Sequence, residues 1–115
     1  MASMEWKVTF YTNPDGDTPV QDFLFSLPEK ERSKFFAYLQ LLLERGNTLP
    51  SQYAKHLDGD FWELRPEFGG TEFRYFYFTM VGQLIVFVHA IKKKSQKTKP
   101  RDLALAGKRM EELKS

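Results

Sequence analysis

The chain has 115 residues, 42% hydrophobic and 16% aromatic, which suits one folded domain and argues against disorder. It has no cysteine, which excludes disulfides and thiolate chemistry and fits a reducing cytoplasm. Net charge is only +2, yet residues 73–101 hold seven basic groups (Arg74, Lys92, Lys93, Lys94, Lys97, Lys99 and Arg101) and no acid.

Met1-Ala-Ser3 is expected to be an added leader before a start at Met4, leaving 4–115 as a single domain. The first ten residues lack the basic start and apolar run of a signal peptide, and no apolar run is long enough for a bilayer. A cytoplasmic protein without a membrane part is therefore expected. Glu5 to Tyr11 alternates, with Trp6, Val8 and Phe10 on one side, and predicts a strand. Asn13 to Gly16 is turn chemistry. Thr18-Pro-Val-Gln21 resembles a capping box opening a short helix that presents Val20, Phe23, Leu24 and Leu27. A second helix is predicted from Pro28 to Arg45, with Phe35, Leu39 and Leu42 at helical spacing, joined by Phe36 and Leu43, and Gly46 closing it. Asn47 to Asp60, with Lys55 and His56, reads as a polar connection.

Three strands are predicted next: Phe61 to Glu67, Phe73 to Met80 and Gln83 to Ile91. Gly69-Gly70 supplies one turn and Val81-Gly82 a tight hairpin. A last helix begins near Pro100, with Leu103, Ala106, Met110 and Leu113 as its apolar stripe. The order β-α-α-β-β-β-α predicts an α+β fold with a small, mainly antiparallel sheet. The two early helices pack on one face and leave the other partly open.

Chemistry is sought on that second face. Alternation puts Glu63 and Arg65 together, opposite Trp62 and Leu64, and separates Arg74 from Phe73 and Tyr75. A charge inside so aromatic a strand is costly to bury unpaired, so Arg74 is expected on the open face. There Arg65 and Arg74 repel unless an anion or a carboxylate lies between them, and guanidinium suits bidentate phosphate contact. The alternative is an ion pair of Arg74 with Glu63 or Glu72. Lys92-Lys93-Lys94, extended by Lys97, Lys99 and Arg101, is either a phosphate-binding rim or a solvated loop. Tyr75 to Phe78 and Phe87 could stack bases or fill a core. His56 and His89 could serve as general acid or base, or be structural. They give no basis for a metal site, and no zinc, phosphate-loop, dinucleotide or serine-triad signature is present.

The segments His56-Leu-Asp-Gly-Asp-Phe-Trp-Glu-Leu-Arg65, Phe73-Arg-Tyr-Phe-Tyr77 and Val88-His-Ala-Ile-Lys-Lys-Lys-Ser-Gln-Lys-Thr98 together resemble the phage-derived HigB-like branch of the RelE/ParE toxin superfamily. The resemblance covers most of Met4 to Leu113. It implies a RelE-like fold and the toxin of a type II toxin–antitoxin system. The implied activity is ribosome-dependent, metal-independent cleavage of messenger RNA through the ribose 2′-OH, with no cofactor, and hence inhibition of translation. Partners implied are messenger RNA, the ribosome and a HigA-like helix-turn-helix antitoxin, which alone carries autoregulatory DNA binding.

By the same resemblance Arg74 matches the middle-strand arginine, and Lys94 or Lys93 matches a basic residue after the last strand. Arg65, Arg74, Lys93, Lys94 and His89 are the implied catalytic set. Lys55, His56, Lys92, Lys97, Lys99 and Arg101 are the implied nucleic-acid contacts. The C-terminal tyrosine of some RelE members has no counterpart, because no Tyr follows Tyr77. The general base is then His56, His89, Glu63 or a lysine with depressed pKa. A non-enzymatic poison of DNA gyrase and a plain nucleic-acid-binding module are the alternatives.

Overall fold

Alternating apolar residues after Trp6 form β1 (Lys7–Phe10), in the computed structural model, which describes residues 6–80, 82–93 and 99–114. Pro19 opens α1 (Pro19–Ser26), and α2 (Glu29–Arg45) follows Pro28. The expected capping box is not formed: Thr18 makes no cap bond to the backbone, and its Oγ1 donates instead to Asp22 Oδ1 at 3.2 Å. Gly46 ends α2 with φ 57° and donates to the Leu42 carbonyl. A Cβ there would lie 2.9 Å from the Trp6 ring, so only glycine fits.

The remaining elements are β2 (Ala54–Asp58), β3 (Phe61–Leu64), β4 (Glu67–Phe68), β5 (Thr71–Met80), β6 (Leu84–Lys93) and α3 (Pro100–Lys114). The sheet order is β1-β6-β5-β3-β2, with β4 paired to β5. Every pair is antiparallel except β1 with β6, which runs parallel with Lys7 opposite Leu84. The α+β class and the expected element order hold, with two further strands. Asn47 to Asp60 is not merely a connection, since it contains β2. An edge strand tolerates exposed polar residues such as Lys55 and His56, and these hid it from the hydrophobic pattern. The β5–β6 loop spans 81–83 rather than two residues: Met80 pairs with Leu84, and Gly82 and Gln83 both have positive φ. Val81 lies outside the described residues.

Both faces of the sheet carry a core. On one, Val20 and Leu24 of α1 and Phe35, Leu39 and Leu42 of α2 pack on Leu64, Tyr75, Tyr77 and Phe87. On the other, Ala106 of α3 packs on Phe61, Phe76, Phe78, Val86 and Val88. The second face is therefore less open than expected. Its apolar end is closed by α3, and only its other end is left for polar groups. The apolar stripe of α3 is thinner than its sequence suggests: Ala106 is buried, whereas Leu103 and Leu113 remain exposed. Phe36, at 44% exposure, is likewise not part of the core.

Tyr75 and Tyr77 are core residues on the α1/α2 face, not base-stacking platforms. Burial pushes both hydroxyls well above the usual tyrosine pKa, and neither hydroxyl oxygen has a hydrogen-bond partner. A sealed hydroxyl without a partner destabilises a fold. Tyr77→Phe is expected to raise stability by about 1 kcal/mol in urea unfolding. A loss of that size would mean that the hydroxyl is bonded, for example by an internal water.

Candidate functional site

The pleat and the register build one row across four strands: Lys55 of β2 opposite Glu63 of β3, Glu63 opposite Phe76 of β5, and Phe76 opposite His89 of β6. All four lie on the α3 face. Arg74 stands two residues along β5 on that same face. His89 arrives there through a β-bulge. Phe76 pairs with His89 but Tyr77 pairs with Phe87, so Val88 is an extra residue in β6. Strict alternation from Phe87, which packs toward α1 and α2, would turn His89 away from α3. The bulge reverses this and carries the remainder of the strand with it. The freed carbonyl of Val88 accepts a 2.9 Å bond from Arg109 Nη1 of α3.

Arg74 is 1% exposed. Its Nε lies 3.4 Å from Glu63 Oε1, its Nη2 donates to Glu72 Oε2 at 3.1 Å, and its Nη1 donates to the Phe73 carbonyl at 3.3 Å. Arg65 Nε also approaches Glu63 Oε1, at 3.5 Å, and its Nη1 donates to the Ser51 carbonyl. The two guanidiniums do meet, and the carboxylate between them is Glu63. Arg74 lies on the expected face but is not open to solvent, because Glu63 and Glu72 together supply its charge partners. Glu63 Oε2 remains buried without a hydrogen bond.

Lys93 is buried on this face, and its pKa is held below the ordinary lysine value first by burial and then by the Arg74 charge, against Glu63 and Glu72. Its neighbour Lys92 points the other way. Lys92 Nζ lies 3.5 Å from Glu31 Oε1 of α2 and 5.9 Å from the centre of the Phe73 ring. The expected fan of lysines on one rim is thus split between the two faces by the pleat.

His89 stacks on Phe76, with ring centroids 5.8 Å apart at 15°, and its Nε2 lies 2.9 Å from Asp102 Oδ1 in the first turn of α3. His56 is not in the site. It pairs in register with Trp62 on the α1/α2 face, lies tilted against that ring at 4.6 Å between centroids, and donates to the Gly59 carbonyl. Lys55 is exposed beside Glu63. Lys99 and Arg101 are exposed where α3 begins, and Lys94 and Lys97 lie outside the described residues.

Sequence reasoning missed Asp102. Its one signal was an acid in the first turn after Pro100, a position that any helix N-terminus favours. Chemically, the face presents Arg65, Lys55, Lys93 and His89 around a buried Glu63–Arg74 ion pair, with the partly exposed Glu72 at its edge. That set can hold an anion and move a proton. Among the described residues no group of three or more His, Cys, Asp or Glu could hold a metal ion, and no helix is long and apolar enough to cross a membrane.

Residues 22–111 match the family described as phage-derived protein Gp49-like (DUF891). No curated protein matches the chain.

Proposed function

The chain belongs to the phage-derived Gp49-like family, and on that premise we propose that it is the toxin of a type II toxin–antitoxin pair and a ribosome-dependent messenger-RNA endoribonuclease. The observation that carries the reading is the gathering of Arg65, Lys93 and His89 on one sheet face around the buried Glu63–Arg74 pair. The resemblance to HigB-like toxins supports it independently.

The reaction needs no metal. The ribose 2′-oxygen attacks the adjacent phosphorus, and the bond to the 5′-oxygen breaks, leaving a cyclic phosphate and a 5′-OH. Charge growing on the phosphoryl oxygens is met by Arg65 and Lys93, and such electrostatic stabilisation carries most of the catalysis. Arg74 does not touch the phosphate. It fixes Glu63, and Glu63 in turn fixes Arg65. A lysine with a lowered pKa is also a stronger acid, which suits Lys93 to protonate the leaving 5′-oxygen.

The test is incubation of the chain with RNA, alone and with translating ribosomes. Cuts confined to translated RNA, with cyclic phosphate ends, are the expected result. The sealing of Arg74 favours one second reading, a poison that binds its target without cutting it. Intact messenger RNA and arrested DNA synthesis in induced cells would establish gyrase as that target. Lys55 is expected to bind only backbone phosphate. Lys55→Ala should therefore weaken RNA binding uniformly and lower the slope of log affinity against log salt by about 1. An unchanged slope would place RNA elsewhere.

A cognate antitoxin completes the proposal. Co-expression with the product of an adjacent reading frame should give a co-purifying complex and restore growth.

A further inference from the structure

The general base has several formal candidates on or near this face, and their surroundings separate them. Glu63 is buried, and its Oε1 is shared by two guanidiniums at 3.4 and 3.5 Å. A carboxylate so held is closed to substrate. Lys93 lies among Arg74, Arg65, Glu63 and Glu72 and serves better as an acid. His56 is on the other face. His89 remains, and it does not stand alone. Its Nε2 meets Asp102 Oδ1 at 2.9 Å, and its ring is held flat on Phe76. The His89 side chain is partly exposed, and among the described residues Nδ1 has no hydrogen-bond partner. The bond that one ring nitrogen makes decides which nitrogen carries the proton.

We infer that Asp102 is a positioning residue: it fixes His89 as the Nε2–H tautomer and so presents Nδ1 as the base toward the 2′-OH. This inference rests on the endoribonuclease reading. In the step, Nδ1 takes the 2′-OH proton as the O2′–P bond forms and the P–O5′ bond breaks. The 5′-oxygen takes its proton from Lys93, and water returns both groups to their starting states. The first turn of α3 is then part of the machinery, and not only a cover for Phe76 and Phe78.

The experiment has two readouts on the full chain. Nitrogen NMR of the labelled histidines reads the tautomer, and because the chain has only His56 and His89, a His56→Gln variant assigns the signals. Wild-type His89 should show protonated Nε2 and bare Nδ1, and Asp102→Asn should lose that preference. Cleavage of translated RNA should show kcat falling by about 10²- to 10⁴-fold in Asp102→Asn with KM little changed, and Asp102→Glu should recover part of it. Tyr11→Phe, which releases α3 at its far end from Glu112, should keep the wild-type kcat. An Nδ1–H tautomer in the wild type overturns the inference, as does wild-type kcat in Asp102→Asn. So does an equal loss in Tyr11→Phe, which would reduce Asp102 to a fastener of the helix. A wild type that cuts no translated RNA removes the endoribonuclease reading and this assignment together. A wild type that cuts while Asp102→Asn keeps its kcat removes this assignment alone.

Discussion

Arg74→Ala is expected to destabilise the fold by about 3–5 kcal/mol, the range for removing one partner of a buried ion pair. The reason is the group left behind. Glu63 is buried, its Oε2 already lacks a hydrogen bond, and Arg74 lies beside Arg65 against its Oε1. A paired substitution sharpens the test. Arg74→Met with Glu63→Leu removes the buried pair as a unit and should lose much less than Arg74→Ala alone, which strips Glu63 of that partner. Denaturant unfolding of the three chains measures this. If Arg74→Ala unfolds within about 1 kcal/mol of the wild type, water reaches the cluster and Arg74 is available to ligand after all.

Arg65→Ala should behave in the opposite way. The Arg65 side chain is 27% exposed, and after its removal Glu63 Oε1 still has Arg74 Nε at 3.4 Å, so no buried charge is left alone. Stability should change little. RNA cleavage should fall about 100-fold or more, the usual effect of removing one preorganised charge from a developing oxyanion. The two arginines are thus expected to separate: Arg74 sustains the fold, and Arg65 serves the proposed reaction. Full cleavage by a folded Arg65→Ala protein would take the phosphate away from this corner of the sheet.

The distinction between these arginines was not legible in the chain. Alternation placed Glu63 and Arg74 on one face correctly, but the ion pair that the structure shows was only the alternative to an open Arg74 that contacts phosphate. What alternation could not supply is the cover. The periodicity of α3 identified a helix but not that it lies over Phe76 and Phe78, since nothing local states where a helix docks. The lysine run shows a second limit. Whether Lys92 or Lys93 faces the site depends on one extra residue in β6, and Val88 has no sequence mark that would announce a bulge. β2 stayed hidden because an edge strand needs little hydrophobic pattern. The strong periodic elements α1, α2, β5 and β6 were readable because burial of whole faces leaves an unambiguous trace. Asp102 was not, since its partner lies across the fold.

The parallel pairing of β1 with β6 has a consequence for synthesis. Lys7 waits for Leu84, and Tyr11 for Glu112, a partner 101 residues away. At about 5–20 residues per second, β1 leaves the ribosome roughly 4–15 s before its neighbour in the sheet exists. Contacts of such long separation form late, because the loop-closure entropy precedes any reward. The β2–β3 hairpin can assemble locally in the meantime, but His89, Lys93 and Asp102 are added last. A nascent chain therefore carries Arg65 and Arg74 before His89 and Lys93, the proposed base and acid, are in place. On the proposed function, the site that would act on translated RNA is complete only when α3 has docked.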